Sequence, residues 1–334
     1  MRNTEAVIGG LGVYLPRKIV TSRELDAQLG LRPGWLEQNC GVRQRHVVSG
    51  DETQEFMGAE AARAALAEAE LDPRDVDLLL FGAAVGRQPI PATAPLIKQM
   101  LGASDRAFAA FDVNATCLSA LVAVDTASMF IKTGRAKNVL VVTSEIASRA
   151  LPWRSDPRTA GLFGDGAAAL VIRASEQPAP YALGAMHMET YADGYSYCEL
   201  RAGGTRYDFQ TERDAFEANA EFNMQGAALY RISSEAAPDF IARLLDKAGW
   251  RQDEVDLVVP HQASAHALAH IIKRCGFAAE RVVDVVAELG NQVAASWPIV
   301  LHRARETGRL RPGMKVLMIG TSAGVSLGGA TMVV

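Results

Sequence analysis

The stretch Ala110–Phe130, "AFDVNATCLSALVAVDTASMF", holds an apolar run, a short polar break, and then an alanine-rich segment with helical spacing. It reads as a strand that hands over to a helix, with one thiol, Cys117, at the junction. A cysteine at a helix N-terminus faces unpaired backbone N–H groups and the positive end of the dipole, which lower a thiol pKa and favour the thiolate. Against that, a free cysteine is commonly a small buried hydrophobe. Both readings stand for Cys117, and the second is taken for Cys40, Cys198 and Cys275.

The same alternation runs outward in both directions. "DVDLLLFGAA", "AFAAFDV", "NVLVVTS" and "AAALVI" read as strands, and "GAEAARAALAEAEL" as a helix. Later the order returns: a helix in "GAALYRISSEAAPDFIARLLDKAG", a strand in "VDLVVPH", a helix in "SAHALAHIIKRCG", a strand in "VLMIGTS". Such βα alternation predicts an α/β fold with a mostly parallel, buried sheet in each half. The halves also share letters. "ELDPRDVDLLLFG" resembles "GWRQDEVDLVVPH", with Val76 and Val255 179 residues apart, and "TGRAKNVLVVTS" resembles "TGRLRPGMKVLMIGTS", with Thr133 and Thr307 174 apart. Two matches in order point to a duplicated βα unit, residues 1–174 and 175–334. The first offset pairs Gly82 with His261, and the second pairs Cys117 with Asn291. Cys117, His261 and Asn291 each follow a predicted strand and precede a predicted helix, and open α/β sheets bind ligands at such carboxyl ends.

Bulk composition narrows the classes. The 334 residues are 49% hydrophobic and 22% charged, with a net charge of −4, which speaks against a phosphate-backbone binder and so against a nucleic-acid partner. No C-x-x-C pair suggests a metal. The N-terminal "MRNTEAVIGGLGVYLP" lacks the plan of a signal peptide, and no apolar run is long enough to span a membrane. The expectation is a cytoplasmic protein with reduced thiols and no membrane partner.

Other polar positions carry two readings each. His261, after Pro260, is a structural or a functional histidine at a strand end; Asn291, after Gly290, is a helix cap, a donor, or both. His266 and His270 lie four apart but lack the Glu of H-E-x-x-H, and read as surface residues. "GTSAGVSLGGA" lacks a P-loop ending and reads as strand–turn–strand, able to offer backbone N–H groups to an oxyanion. Asp165-Gly166 in "LFGDGAAALVI" reads as a hairpin turn.

Together, "NATC", "FGDGAAA", "VPHQAS", "GNQVAAS" and the terminal glycine-rich turn stand in the order of the thiolase superfamily, and "GWLEQNCGVRQRH" is similar to a segment of its β-ketoacyl-acyl-carrier-protein synthase III group. The resemblance covers nearly the whole chain. It implies a thiolase-like five-layered αβαβα fold and a homodimer. It implies that Cys117 is acylated by an acyl-CoA, and that His261 and Asn291 hold the thioester oxygen of malonyl-ACP or malonyl-CoA during a decarboxylative condensation. The N–H groups of Cys117 and Ala323 would form the oxyanion hole. Trp35, Arg43 and, less closely matched, Arg158 fall where the group binds coenzyme A, and Arg231, Lys273 and Arg274 where it docks acyl carrier protein. No cofactor is implied beyond the coenzyme A thioesters themselves.

Several positions depart from that pattern. Asn39 replaces an Arg, Ser264 an Asn and His266 an Arg; Thr321 stands where an aromatic is frequent, and Ile90 where a partner-subunit Phe floors the acyl pocket. A smaller floor implies a primer longer than acetyl, or functionalised. The altered turn keeps a second activity in view, transfer of the acyl group to a hydroxyl or amine. An inactive partner subunit and a cysteine hydrolase are further alternatives, and retention of Cys117, His261 and Asn291 together speaks against the former.

Overall fold

The computed structural model describes residues 5–175 and 179–334. Nine strands form one continuous sheet: β1 (Glu5–Tyr14), β2 (Leu78–Gly82), β3 (Ala109–Val113), β4 (Asn138–Glu145), β5 (Gly166–Ser175), β6 (Ala182–Thr190), β7 (Leu257–Pro260), β8 (Lys315–Ser322) and β9 (Ser326–Val333). Their spatial order is β7-β8-β9-β6-β1-β5-β4-β2-β3. The first half therefore runs β1-β5-β4-β2-β3. The second runs β6-β9-β8-β7, and a parallel bridge from Val258 to Val282 supplies its fifth position. The two halves have one topology and meet where Val7 of β1 pairs with Ala182 of β6.

The sheet is mixed where the sequence predicts a mostly parallel one. β2 pairs in parallel with β3 and β4, and β7 with β8, but β5 runs antiparallel to β1 and β4, and β9 antiparallel to β6 and β8. Strands buried on both faces read as unbroken apolar runs whichever way their neighbours point, so composition could not report direction.

Helices sort into three layers. α2 (Ser119–Lys132) and α5 (Ser296–Glu306) lie in the middle, and each touches strands of both halves. α1 (Gln54–Glu68) covers the outer face of the first half, and α3 (Gly226–Ala248) with α4 (Ala265–Cys275) covers that of the second. Strand residues alternate between layers. Leu78 and Leu80 enter the central core with Leu121, Val124 and Val300, while Leu79 and Phe81 pack outward on Met57 and Ala61. The result is the five-layered αβαβα arrangement. No described helix is long and apolar enough to cross a membrane.

Two local devices bear on the site. Pro238 lies inside α3 and has no N–H for the carbonyl of Ser234; Arg274 Nε fills the gap, donating to that oxygen at 2.8 Å. Gly12 in β1 lets α1 approach closely, because a Cβ there would sit 2.2 Å from the carbonyl oxygen of Ala61. Gly12→Ala is expected to cost roughly 1–3 kcal/mol through overpacking, read as a lowered denaturation midpoint, while Gly204→Ala, with nothing within 4 Å, should leave it in place. Equal midpoints for both variants would show that α1 does not rest on this contact.

Candidate functional site

The central helices do not begin as ideal α-helices. A 3₁₀ turn, Thr116–Leu118, precedes α2, and another, Val293–Ala295, precedes α5. Each opens on a non-glycine residue with positive φ, Thr116 at 51° and Val293 at 52°. Such backbone is costly and needs outside support. An asparagine two residues earlier supplies it in both halves. Asn114 Oδ1 accepts the N–H of Thr116 at 2.9 Å, and Asn291 Oδ1 accepts the N–H of Val293 at 2.8 Å. A serine then starts each helix and ties it to the loop after the second strand of its half. Ser119 Oγ donates to Ala83 O at 3.1 Å, and Ser296 Oγ accepts from Gln262 N at 2.8 Å.

This corrects the repeat register. The counterpart of Asn291 is Asn114, 177 residues before it, and the counterpart of Cys117 is Ala294. The offset drifts from 179 to 174 along the chain because the connections differ in length, and extrapolating from the last match misplaces the pair by three residues. It also moves Cys117 off the α-helix N-terminus and into the preceding turn.

The two turns meet in the middle of the molecule, at the carboxyl ends of the parallel strands. His261 follows β7 and is buried, its N–H donating to Ile319 O at 2.8 Å. Gly320 of β8 lies against both His261 and Leu118: a Cβ there would be 3.0 Å from His261 Cβ and 3.1 Å from Leu118 Cδ2. Asn291 Nδ2 donates to Ala263 O, two residues past His261, at 3.4 Å. Its Oδ1 already holds the Val293 N–H, so the amide turns its donor end toward the histidine loop. The backbone N–H groups of Cys117 and Ala323 both lie against the sulfur of Cys117. The structure therefore packs together the four connections that carry Cys117, His261, Asn291 and Ala323.

Burial sets the electrostatics. It pushes the Cys117 thiol above its ordinary value, with further pushes from Cys198 and Glu145 that outweigh the two N–H groups. The lowered thiol expected from the helix dipole is thus reversed, because desolvation exceeds a dipole reached only through a 3₁₀ turn. Burial alone holds His261 down at about 4, so the ring is neutral at pH 7, and its Nδ1 has no hydrogen-bond partner among the described residues. Cys198 sits close enough to influence Cys117, which its position in an irregular stretch of sequence gave no sign of.

The remaining predicted residues lie around this centre. Trp35 opens the short helix Trp35–Cys40, half-buried, and that helix packs on Pro157–Ala160, which carries the exposed Arg158. Arg43 is exposed, 3.9 Å from Glu288. Thr321 is half-buried near the end of β8. Ser264 caps α4, accepting from Ala267 N at 3.1 Å. Arg231 and Lys273 are exposed, whereas the Nε of Arg274 is engaged at Ser234. Ile90 is apart from the others, 84% exposed on the loop beside β3. A depression of about 580 Å³ is on that face too, lined by Arg87, Pro91, Leu96 and Phe108, and does not contain Cys117. Asp165 makes no hairpin. It is buried, and its carboxylate accepts from Val48 N, Ser148 N and Ser148 Oγ, all at 2.8 Å. The side chain of His270 lies outside the described residues.

Comparison with known proteins agrees along the whole chain. The family model described as 3-oxoacyl-[acyl-carrier-protein (ACP)] synthase III matches residues 111–194, and that of its C-terminal part matches residues 245–334. The chain is similar to the beta-ketoacyl-[acyl-carrier-protein] synthase III of Bordetella petrii, 36% identical over 330 residues and 97% of each protein. Among solved structures it is similar to 3-oxoacyl-(acyl carrier protein) synthase III from Pseudomonas aeruginosa, with a TM-score of 0.88, 32% identity and 98% of each chain covered. It is similar also to the priming beta-ketosynthase of the R1128 polyketide biosynthetic pathway, with a TM-score of 0.89, 27% identity, 99% of this chain and 97% of that one.

The depressed His261 has a consequence for stability. The unfolded chain binds a proton there near 6.5, the folded one only near 4, so stability falls as pH drops through that window. His261→Gln should flatten the decline in denaturation midpoint between pH 7 and 4.5, leaving a residual slope from His302, which burial also holds down. A variant that tracks the parent at every pH would mean that the ring is not held neutral by the fold.

Proposed function

The chain belongs to the 3-oxoacyl-[acyl-carrier-protein] synthase III family, and from that premise we propose a decarboxylative Claisen condensation between an acyl group carried on Cys117 and a malonyl thioester. What supports it most is the packing of the turn that carries Cys117, its sulfur backed by two backbone N–H groups, on the turn that carries Asn291, with Gly320 set between Leu118 and the neutral His261. Cys117 takes the acyl group from acyl-CoA, and its thiol proton leaves on the coenzyme A thiol. One hard step becomes two easier ones. Loss of CO2 from the malonyl thioester, held by acyl carrier protein or coenzyme A, then leaves an enolate. His261, with its proton on Nε2, and Asn291 Nδ2 donate to that enolate oxygen. Two neutral donors match charge that appears only during the step. The enolate carbon attacks the acyl carbonyl, whose oxygen is received by the N–H groups of Cys117 and Ala323. Collapse expels the Cys117 thiolate, which regains a proton. The thioesters carry the activation, so the chemistry calls for no metal or redox group.

Trp35 would stack on the adenine of coenzyme A, with Arg43 and Arg158 near its phosphates, and Arg231, Lys273 and Arg274 would meet the acidic carrier protein. The partner for the remaining face is a second copy of this chain. β3 is an edge strand, and Val85, Ile90, Phe111 and Met129 are exposed on and near it, an apolar surface that water does not favour. In such a homodimer Ile90 would close the partner's acyl pocket.

Mass spectrometry of Cys117 after exposure to a panel of acyl-CoAs tests the nucleophile. An acyl adduct should form, Cys117→Ala should abolish it, and His261→Ala should spare loading while removing CO2 release with malonyl-carrier protein. Loading without CO2 release in the unsubstituted enzyme would transfer support to a hydroxyl or amine acceptor.

The same panel tests the pocket floor. The preferred primer should exceed acetyl in length, and Ile90→Phe should shift the optimum toward shorter chains, each excluded CH2 being worth about 0.8 kcal/mol. An acetyl optimum in the parent, or a monomer by light scattering, would remove this role for Ile90.

A further inference from the structure

Glu145 ends β4, is 3% exposed, and takes no part in the steps above. Among the described residues no cation lies within ion-pair distance of it. Its Oε1 instead accepts two backbone N–H groups, from Ala84 at 2.7 Å and from Ala294 at 3.4 Å. The first donor belongs to the first half and the second to the other. Each leads to one of the central turns. Ala84 O accepts from Asn114 Nδ2 at 3.0 Å, and Asn114 Oδ1 holds the Thr116 N–H that precedes Cys117. Ala294 follows Val293, whose N–H is held by Asn291 Oδ1. One oxygen atom thus sits at the junction of two short hydrogen-bonded paths, one ending at Cys117 and one at Asn291.

We propose that Glu145 is a positioning residue for the condensation, fixing the Cys117 turn of one half against the Asn291 turn of the other through the backbone N–H groups of Ala84 and Ala294. The inference rests on the reading of Cys117 and Asn291 given above and adds a residue outside the reacting set. Neither turn is satisfied by its own helix, so a displacement of either would shift Cys117 relative to Asn291. A misplacement of about 1 Å can cost on the order of 100-fold in rate.

The form of the carboxyl matters as well. Burial raises it to about 8, against the two N–H groups, and Asp165 adds to the rise. Around it stand Asp165, with Arg149 beyond, and Cys117. At pH 7 the acid is mostly neutral. Above about 8 it becomes an anion beside a thiol that must itself become a thiolate, and the two negative charges oppose each other.

The test compares E145Q, which keeps an acceptor and cannot ionise, with E145A, which keeps neither. At pH 7, acyl loading of Cys117 should fall no more than about threefold in E145Q and roughly 100-fold in E145A. From pH 7 to 9.5 the unsubstituted enzyme should lose loading with a midpoint near 8, a limb absent from E145Q. Iodoacetamide alkylation of Cys117, followed by peptide mass, should be faster in E145Q than in the parent at pH 9, by about tenfold for each unit of thiol shift. Superimposable pH profiles of parent and E145Q, or equal loading by E145A and E145Q, would overturn the proposal. Should E145A not fold, the profiles and alkylation of the other two decide it. Alkylation needs no acyl substrate, so a difference there without any acyl loading would remove the condensing reading and leave the effect of Glu145 on the thiol standing.

Discussion

Burying two helix starts in the centre of a five-layered molecule imposes the constraint on which the rest depends. The first turns of a helix present N–H groups that its own carbonyls do not reach, and in a dry interior each needs a partner. α2 and α5 answer this alike: an asparagine two residues before a positive-φ residue, a 3₁₀ turn, and a serine bonded to the loop after the second strand of its half. The N–H groups that face the Cys117 sulfur are its own, in the turn before α2, and that of Ala323, in the connection from β8 to β9.

The same burial sets the protonation states. It raises the thiol of Cys117 and lowers the imidazole of His261, so both rest uncharged at neutral pH. An ion pair of thiolate and imidazolium would be harder to hold in this medium. Neutral donors and acceptors are suited to charge that arises during a reaction and vanishes after it.

Small residues make the convergence sterically possible. Gly82 lets the start of α2 approach β2, where a Cβ would lie 2.7 Å from Ser119 O, and Gly320 and Gly328 accept Leu118 on the second half of the sheet. The outer layer follows a different logic. Pro238 breaks one helical hydrogen bond and Arg274 restores it from a neighbouring helix, so a residue that reads as a docking charge also repairs the backbone.

The sequence by itself determined most of the strands and helices, the internal repeat, and the three polar residues proposed as reactive groups. Apolar runs and helical spacing name most strands and helices, two repeated stretches reveal the duplication, and the motifs around Cys117, His261 and Asn291 single out those three residues. Tertiary structure alone decided the rest. Strand direction was illegible because strands buried on both faces look alike in either sense. The pairing of Asn291 with Asn114 was hidden because loop lengths shift the repeat, although the shared N-x-x-x-x-S spacing of "NATCLS" and "NQVAAS" carried the signal. Asp165 and Glu145 gave no sign, since a carboxylate bonded to backbone N–H groups depends on distant chain segments and leaves no local pattern. The thiol's upward shift belongs with these. A dipole can be guessed from a helix start, but desolvation is a property of everything packed around the sulfur, and only the folded chain supplies it.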